Sequence, residues 1–418
     1  MLIHRLGQRM PWYMAADTVE GRNIRNLYAE TTWFGVLNGL VGTFMSVFAL
    51  RLGATTAQVG WLAALPALVN VVWLIPAGRI IERQRRRQPL ILWAGFLQRL
   101  GYLLLAAMPF LLATGQVEAL IVINTLITLP AAIINTAITA LIPDLTSSER
   151  RGQVVSVRWL LLAAVATAVA LLGGKLLDLM PVPVNYQVLF GAGALLSLVG
   201  LYYLRRIRMP RVVIRDQAVP VKERLSWQHL RNNLTGVWSH HRFRRFTLAS
   251  FVFYWGLYLP AALWSVLRVR DLGASDTWIG LIAVVVDAST IGGYFYWGKI
   301  SARRGNRWVL IVTAFGVALY TLLTALVPTI GWMIPTSILG GLTWSGCNLA
   351  LFNVMLGVCP AERRPSYVAL YTALMNVAAF AAPMLGAGLS DWAGIRIAFV
   401  VASGVRVIGA LLFLRLVR

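Results

Sequence analysis

Three charged residues stand in the middle of long apolar runs, where a charge is costly and marks either function or a buried partner. Arg99, Asp287 and Arg406 each lie about ten residues into such a run, which is ~15 Å along a helix rising ~1.5 Å per residue. A charge at mid-bilayer costs about 2.5–3.5 kcal/mol on insertion scales. Asp287 is the one best suited to chemistry, because a carboxylate passing between wet and dry surroundings can load a proton on one side and release it on the other. Gly280, Val284, Ile291 and Tyr294 share its helix face. The competing reading makes Asp287 a permanent ion-pair partner that secures helix packing. Glu30, expected at the mouth of the first run, reads as a gate or ion-pair residue and as the next coupling candidate. Arg99 is a coupling candidate too, with carbonyl bonding as the structural alternative for both it and Arg406.

Uncharged polar residues form a second pattern. Asn124, Thr128, Asn135 and Thr139 recur at spacings of 4, 7 and 4, which puts them on one face of a helix. Asn348 follows Asn135 by 213 residues, with Ser337, Thr343 and Ser345 nearby. Tyr254, Tyr258 and Ser265 mark another run, and Asn38, Thr43 and Ser46 the first. Such groups line a cavity for a small molecule. They also serve as hydrogen-bonding glue between membrane helices, the plainer reading for an isolated Ser or Thr. Asn38, Asn135, Tyr254, Tyr258 and Asn348 are the cavity candidates.

The elements that position these residues follow from composition. The chain has 418 residues, 58% apolar and 13% charged, with a mean hydropathy of +0.70. A soluble protein has nearer a quarter charged residues. Apolar runs occupy 30–51, 57–77, 89–112, 117–142, 154–177 and 186–204, then 244–267, 277–297, 308–327, 332–358, 367–389 and 397–414. At about 20 residues per span these are twelve transmembrane helices. The expected division is a cytoplasmic segment 1–28, a six-helix half 29–206, a basic connector 207–243 and a second six-helix half 244–418. Within the connector Trp227, Leu230, Leu234 and Trp238 recur at helical spacing, either as an amphipathic surface helix or as part of a solvated linker. Trp33, Trp61, Trp278, Trp297, Trp308, Trp332 and Trp392 fall near run ends, as an interfacial belt requires.

The net charge of +23 would suggest nucleic acid in a soluble chain. Its placement argues otherwise. Counting loops alternately, 31 of the 38 Lys and Arg fall on the side of the termini, and about five on the other. Basic loops stay cytoplasmic during insertion, so both termini are expected inside. No signal-peptide order opens the chain. Cys347 and Cys359 read as buried small residues, and all four His fall in the expected cytoplasmic segments. No metal pair, nucleophile elbow or phosphate-binding Gly loop occurs, so neither enzyme site nor cofactor is expected.

A repeat ties the halves together. The basic turn Pro76–Arg87, "PAGRIIERQRRR", has a counterpart in Trp297–Arg307, "WGKISARRGNR". Gly78 and Gly298 differ by 220, as do Arg83 and Arg303, Arg87 and Arg307, and the two "LGA" triplets at Leu52 and Leu272. Later matches run at 213 ("SSERRG" at Ser147, "PAERRP" at Pro360) and 210 ("LYYLRRIR" at Leu201, "LLFLRLVR" at Leu411). The turns resemble the loop between helices 2 and 3 of the major facilitator superfamily. The first has Glu82 at the acidic place and Arg85 where Gly is usual; the second keeps Gly305 but has Ala302 at the acidic place.

That resemblance implies two pseudo-symmetric six-helix halves, with helices 1, 4, 7 and 10 lining a substrate site near the midplane. It implies a secondary transporter moving a small solute by alternating access, in a bacterial cytoplasmic membrane. Gly78, Glu82, Arg83, Arg87, Gly298, Arg303 and Arg307 are then a gating motif, the glycines allowing close helix approach and Glu82, Asp144, Glu149 and Glu362 acting as acidic partners. The drug/proton antiporter branch is similar only in part. Its helix 4 Arg is absent, its helix 5 Gly-Pro element is reduced to "ALLGG" at Ala170–Gly174, and Pro383 stands instead in helix 11 with Gly386 and Gly388. Three functions stay open: proton-coupled export of an amphipathic compound, uptake of a small polar solute, and a non-transporting sensor or scaffold. The expected partners are a small-molecule substrate, a proton or other ion gradient and membrane lipid, with no nucleic acid and no obligatory protein.

Overall fold

The computed structural model describes residues 18–82, 84, 87–146, 150–208, 240–360 and 364–417. Among them are twelve helices long and apolar enough to cross a membrane. They are α1 (Val19–Arg51), α2 (Thr56–Glu82), α3 (Arg87–Leu111), α4 (Gln116–Leu145), α5 (Arg151–Asp178) and α6 (Val184–Arg206), followed by α7 (His241–Asp271), α8 (Asp276–Arg304), α9 (Asn306–Ala325), α10 (Met333–Val358), α11 (Arg364–Ala393) and α12 (Ile395–Leu416). Trp93, Phe110 and Phe295 are 66%, 74% and 71% exposed. Large apolar side chains face outward because hydrocarbon, not water, is the surrounding solvent, and helices satisfy their own backbone there.

Helix α1 begins about eleven residues before the expected apolar start. Thr18 caps it, its hydroxyl accepting the Gly21 N–H at 3.0 Å, and Glu20 stands in the first turn. Such a cap contributes about 1 kcal/mol. The early start places Glu30 ~16 Å along the helix at ~1.5 Å per residue, so it is an interior residue of α1 and not in its first turn. Trp297 also departs from expectation. It is buried among Phe243, Leu310 and Met355, and its indole N–H donates to the Leu342 carbonyl at 2.8 Å, so it belongs to the core and not to an interfacial belt.

Two compact units emerge. Unit 1 is drawn from Met1–Gly53, Val72–Ile214 and Ser275–Ala283, and unit 2 from Ala54–Val71, Arg215–Ala274 and Val284–Arg418. In unit 1, α1 packs on α5 and α6, and α3 on α4 and α6; in unit 2, α7 packs on α11 and α12, and α9 on α10 and α12. Each pairing recurs six helices later. The sequence repeat is therefore a repeat of packing. Ile24, Leu27, Ile91, Ile138 and Leu204 form the core of unit 1; Phe243, Phe246, Phe253, Leu310 and Phe413 form that of unit 2.

The repeat extends to irregular backbone. Gly53 and Gly273 both have positive φ, +90° and +60°, a region that L side chains rarely enter and glycine enters freely. Helix α1 passes through a π-helical turn at Asn38–Gly42, and α7 opens at 259–262, just after Tyr258, the repeat mate of Asn38. Small residues mark the segments that each unit takes from a helix of the other half. In unit 1 a side chain at Gly280 would meet the Ala170 carbonyl at 2.7 Å; in unit 2 its repeat mate Gly60 lies against Ala387 and Pro383. Asp178 fastens the start of α8, its two carboxylate oxygens accepting the N–H groups of Asp276 and Thr277, both at 2.9 Å. The Tyr186 hydroxyl donates to the Asp276 carboxylate at 2.7 Å, with Arg51 at 3.7 Å.

Candidate functional site

Four helices of unit 1 bring a polar cluster together. α1 supplies Glu30 and Thr31, α3 supplies Gln98 and Arg99, α4 supplies Asn135, and α5 supplies Arg158. The Ile24–Leu27 face of α1 packs into the core, and that packing draws Glu30 and Thr31 in with it. Glu30 is 2% exposed and Arg99 1%. Arg158 donates from Nε to the Thr31 hydroxyl at 2.9 Å. Thr31 has one hydrogen to give, and two acceptors compete for it: the Leu27 carbonyl at 2.9 Å and Glu30 Oε2 at 3.3 Å.

Arg99 is less completely bonded. Its Nη1 donates to Gln98 Oε1 at 2.8 Å and to the Gly95 carbonyl at 3.4 Å, and its guanidinium lies 5.7 Å from the centre of the Phe34 ring. Its Nε and Nη2 are buried without a hydrogen-bond partner. Glu30, Gln98, Asn135 and Arg158 line a cavity of about 10 Å³ with Phe34, Ile134 and Ile138, close to the room one water needs. One carboxylate thus faces two guanidinium groups, Arg158 first and Arg99 second. Protonating Glu30 would remove the negative charge that acts on both cations, so a proton there is linked to movement or hydration of the arginines.

The structure brings Glu30, Arg99 and Asn135 together. Arg158, Thr31 and Gln98 are the members that sequence reasoning missed. Arg158 counted as a loop charge, yet it stands two turns inside α5; the missed signal was a lone Arg on the apolar side of a basic loop. The other candidates are not among the residues that line this cavity. Asn38 is exposed at the π-helical turn. In unit 2, Tyr254 has its ring 5.7 Å from that of Tyr258 and 6.4 Å from that of Tyr371. Asn348 donates from Nδ2 to the Tyr294 hydroxyl at 2.9 Å. Asp287 is half-buried on α8.

The gating motif is described in part. Arg83, Glu149, Glu362 and the amphipathic stretch around Trp227 lie outside the described residues, as do the surroundings of Gly78 and the side chains of Glu82 and Asp144. Among the described residues, nothing lies within 4 Å of the place a side chain at Gly298 would take. Arg87 opens α3, and Arg303 is exposed. Arg307 donates to the Leu414 carbonyl at 3.0 Å, while Gln88 donates to those of Arg205 and Ile207 at 2.7 and 2.9 Å. The ends of the two basic turns thus cap the C-terminal carbonyls of α12 and α6, groups a helix leaves unpaired.

Arg406 is structural in its bonding, as one of its two readings anticipated. Its guanidinium reaches the carbonyls of Gly256 (2.9 Å), Val317 (3.2 Å) and Leu257 (3.3 Å), and the Thr321 hydroxyl.

Twelve helices long and apolar enough to cross a membrane, among the described residues, in two units whose packing repeats, make this a multi-pass membrane protein. The Major Facilitator Superfamily model matches residues 32–258 and 246–418, and the chain belongs to that superfamily. Among solved structures it is similar to a point mutant of the nucleoside transporter NupG, at 13% identity and a TM-score of 0.71, covering 96% of this chain and 100% of that one. It is also similar to a POT family transporter in complex with 5-aminolevulinic acid, at 13% identity and a TM-score of 0.72, covering 95% of each chain. A bacterial homologue of the human lysosomal transporter Spinster gives 14% identity and a TM-score of 0.69, covering 94% of this chain and 95% of that one. No curated protein sequence matches the chain. Family and fold support a secondary transporter.

Proposed function

We propose that the protein exports an amphipathic solute in exchange for protons, by alternating access, with Glu30 as the coupling carboxylate. The observation that carries this reading is a carboxylate buried in helix α1 beside two guanidinium groups and a water-sized cavity. An intramembrane acid so placed is a proton-relay candidate on physical grounds, because either protonation or a nearby cation must offset its burial. The rings of Tyr254, Tyr258 and Tyr371 favour a cargo with apolar surface. Asp287 and Arg99 remain coupling candidates, and Asn38, Asn135 and Asn348 cavity candidates. The halves 29–206 and 244–418 are the moving bodies of this scheme, with the turns at Gly78 and Gly298 as gates.

The test is a thermal-shift screen of the purified protein for ligands, followed by flux of the best ligand in vesicles under an imposed pH gradient. Ligand leaving against the entering protons is the expected result. Ligand entering with the protons would make the protein an uptake symporter, and tight binding without flux would make it a sensor.

We place both termini in the cytoplasm of a bacterial cell, from the basic bias of the loops. A single cysteine at Gln84, with Cys347 and Cys359 replaced, should resist a membrane-impermeant maleimide in intact cells and react once the cells are opened. Labelling from outside would reverse the topology.

A further inference from the structure

Unit 2 contains a cavity of about 320 Å³ among α7, α9, α10 and α12, lined in part by Trp264, Arg268, Tyr320, Gly340, Trp344 and Arg406. It shares no lining residue with the Glu30 cluster. Two guanidinium groups line it and, among the described residues, no carboxylate does. Arg406 is held by carbonyls and a hydroxyl, dipoles that satisfy its donors but leave its charge unbalanced. Arg268 stands in the π-helical turn Leu267–Asp271; its Nε is buried without a hydrogen-bond partner, and its charge faces the Tyr320 side chain. Two guanidinium groups lining one aromatic-walled cavity without an anion are unfavourable, and an anion placed between them relieves that cost.

The remaining wall is aromatic and shaped. Trp264 stacks on Tyr320 with centroids 5.0 Å apart and planes 8° from parallel. The Arg268 guanidinium lies 5.9 Å from the centre of the Trp264 ring. Gly340 makes this stack fit, since a side chain there would meet the Tyr320 ring at 2.8 Å. A cavity with a few convergent polar groups on an otherwise aromatic wall is the usual form of a small-molecule site.

We infer that this cavity binds an amphipathic monoanion, with its carboxylate or phosphate oxygens on Arg268 and Tyr320 and its apolar part against Trp264 and Trp344. The cavity is too small for a whole phospholipid, so a lipid would enter by its headgroup and a free organic anion entirely. Both sources share the chemistry of an oxyanion joined to an apolar body.

Purified full-length protein in a neutral detergent, titrated with dodecanoate, dodecanol, inorganic phosphate and phosphatidylglycerol, tests this by Trp fluorescence and native mass spectrometry. Dodecanoate should bind about tenfold or more tightly than dodecanol, the size of one charge-assisted hydrogen bond. Arg268→Gln should remove that difference, and Gly340→Ala should weaken binding by displacing Tyr320. Phosphatidylglycerol that is retained and displaced by dodecanoate assigns a lipid source; dodecanoate binding without retained lipid assigns a free anion. Equal affinity for dodecanoate and dodecanol overturns the inference, and that comparison needs no variant to fold. Inorganic phosphate binding as tightly as dodecanoate overturns it as well.

Discussion

Glu30→Gln is expected to reduce gradient-driven transport to the level of empty vesicles while ligand exchange between preloaded vesicles continues. Glutamine keeps the size and the hydrogen-bonding ability of the side chain but has no group that gains or loses a proton near neutral pH. Net movement against a gradient needs that proton; one-for-one exchange does not. A structural role predicts something else. If Glu30 serves only to balance Arg158 and Arg99, its neutralisation strands buried cations, so thermal stability and both activities should fall together. Asp287→Asn, made in parallel, identifies the carrier of coupling. If it uncouples the protein and Glu30→Gln does not, Asp287 is the coupling carboxylate and the Glu30 assignment is lost.

Arg406→Met should lower stability by about 3 kcal/mol, the range for removing hydrogen bonds to a charged group and leaving buried acceptors unmet. The cause lies in α7. Pro260 has no N–H, so the Gly256 carbonyl has no donor four residues on, and the Ala261 N–H turns to Tyr258 instead of Leu257. Arg406 fills both places, through Nε to Gly256 and Nη2 to Leu257. Helix α12 comes close enough because Gly256 and Gly409 carry no side chain; one at Gly256 would meet the Arg406 backbone N at 2.8 Å, and one at Gly409 would meet Phe253 Cα at 2.7 Å. Arg406→Lys should recover little, since an ammonium cannot reproduce the planar fork. Pro260→Ala restores a donor for Gly256, so it should offset part of the loss in the Arg406→Met background. A double-mutant cycle in detergent measures that coupling. Strict additivity, or an Arg406→Met protein as stable as its parent, would refute the capping role.

These two residues show how far the sequence reaches. The depth of Arg406 in its apolar run and its carbonyl-bonding option were legible, because a charge in hydrocarbon has few solutions. Its partners were not, since nothing in α12 encodes which carbonyl on another helix lacks a donor. For Glu30 the residue was legible as a candidate, and its burial inside a longer helix was not. The apolar count begins near residue 30, but Thr18 and Glu20 start the helix earlier, and capping is a local hydrogen-bond effect that hydropathy does not register. Arg158 escaped notice for the same reason, being counted with the basic loop that it follows.

By itself, the sequence determined the twelve spans, the twofold repeat, the basic turns and the mid-span charges. Hydrocarbon admits only segments that satisfy their own backbone, so composition along the chain decides where helices run, and repeat offsets decide how they correspond. Tertiary structure alone decided which side chains come together: Glu30 with Arg158 and Gln98 around a water-sized cavity, Asp178 with the start of α8, Trp297 with the core, and Arg268 with Arg406 around one cavity. Helical periodicity orders residues on one helix, whereas contact between helices depends on their relative rotation and depth. Those are set by packing between different helices, where one missing side chain, as at Gly256 or Gly340, settles how close two backbones or a ring can come.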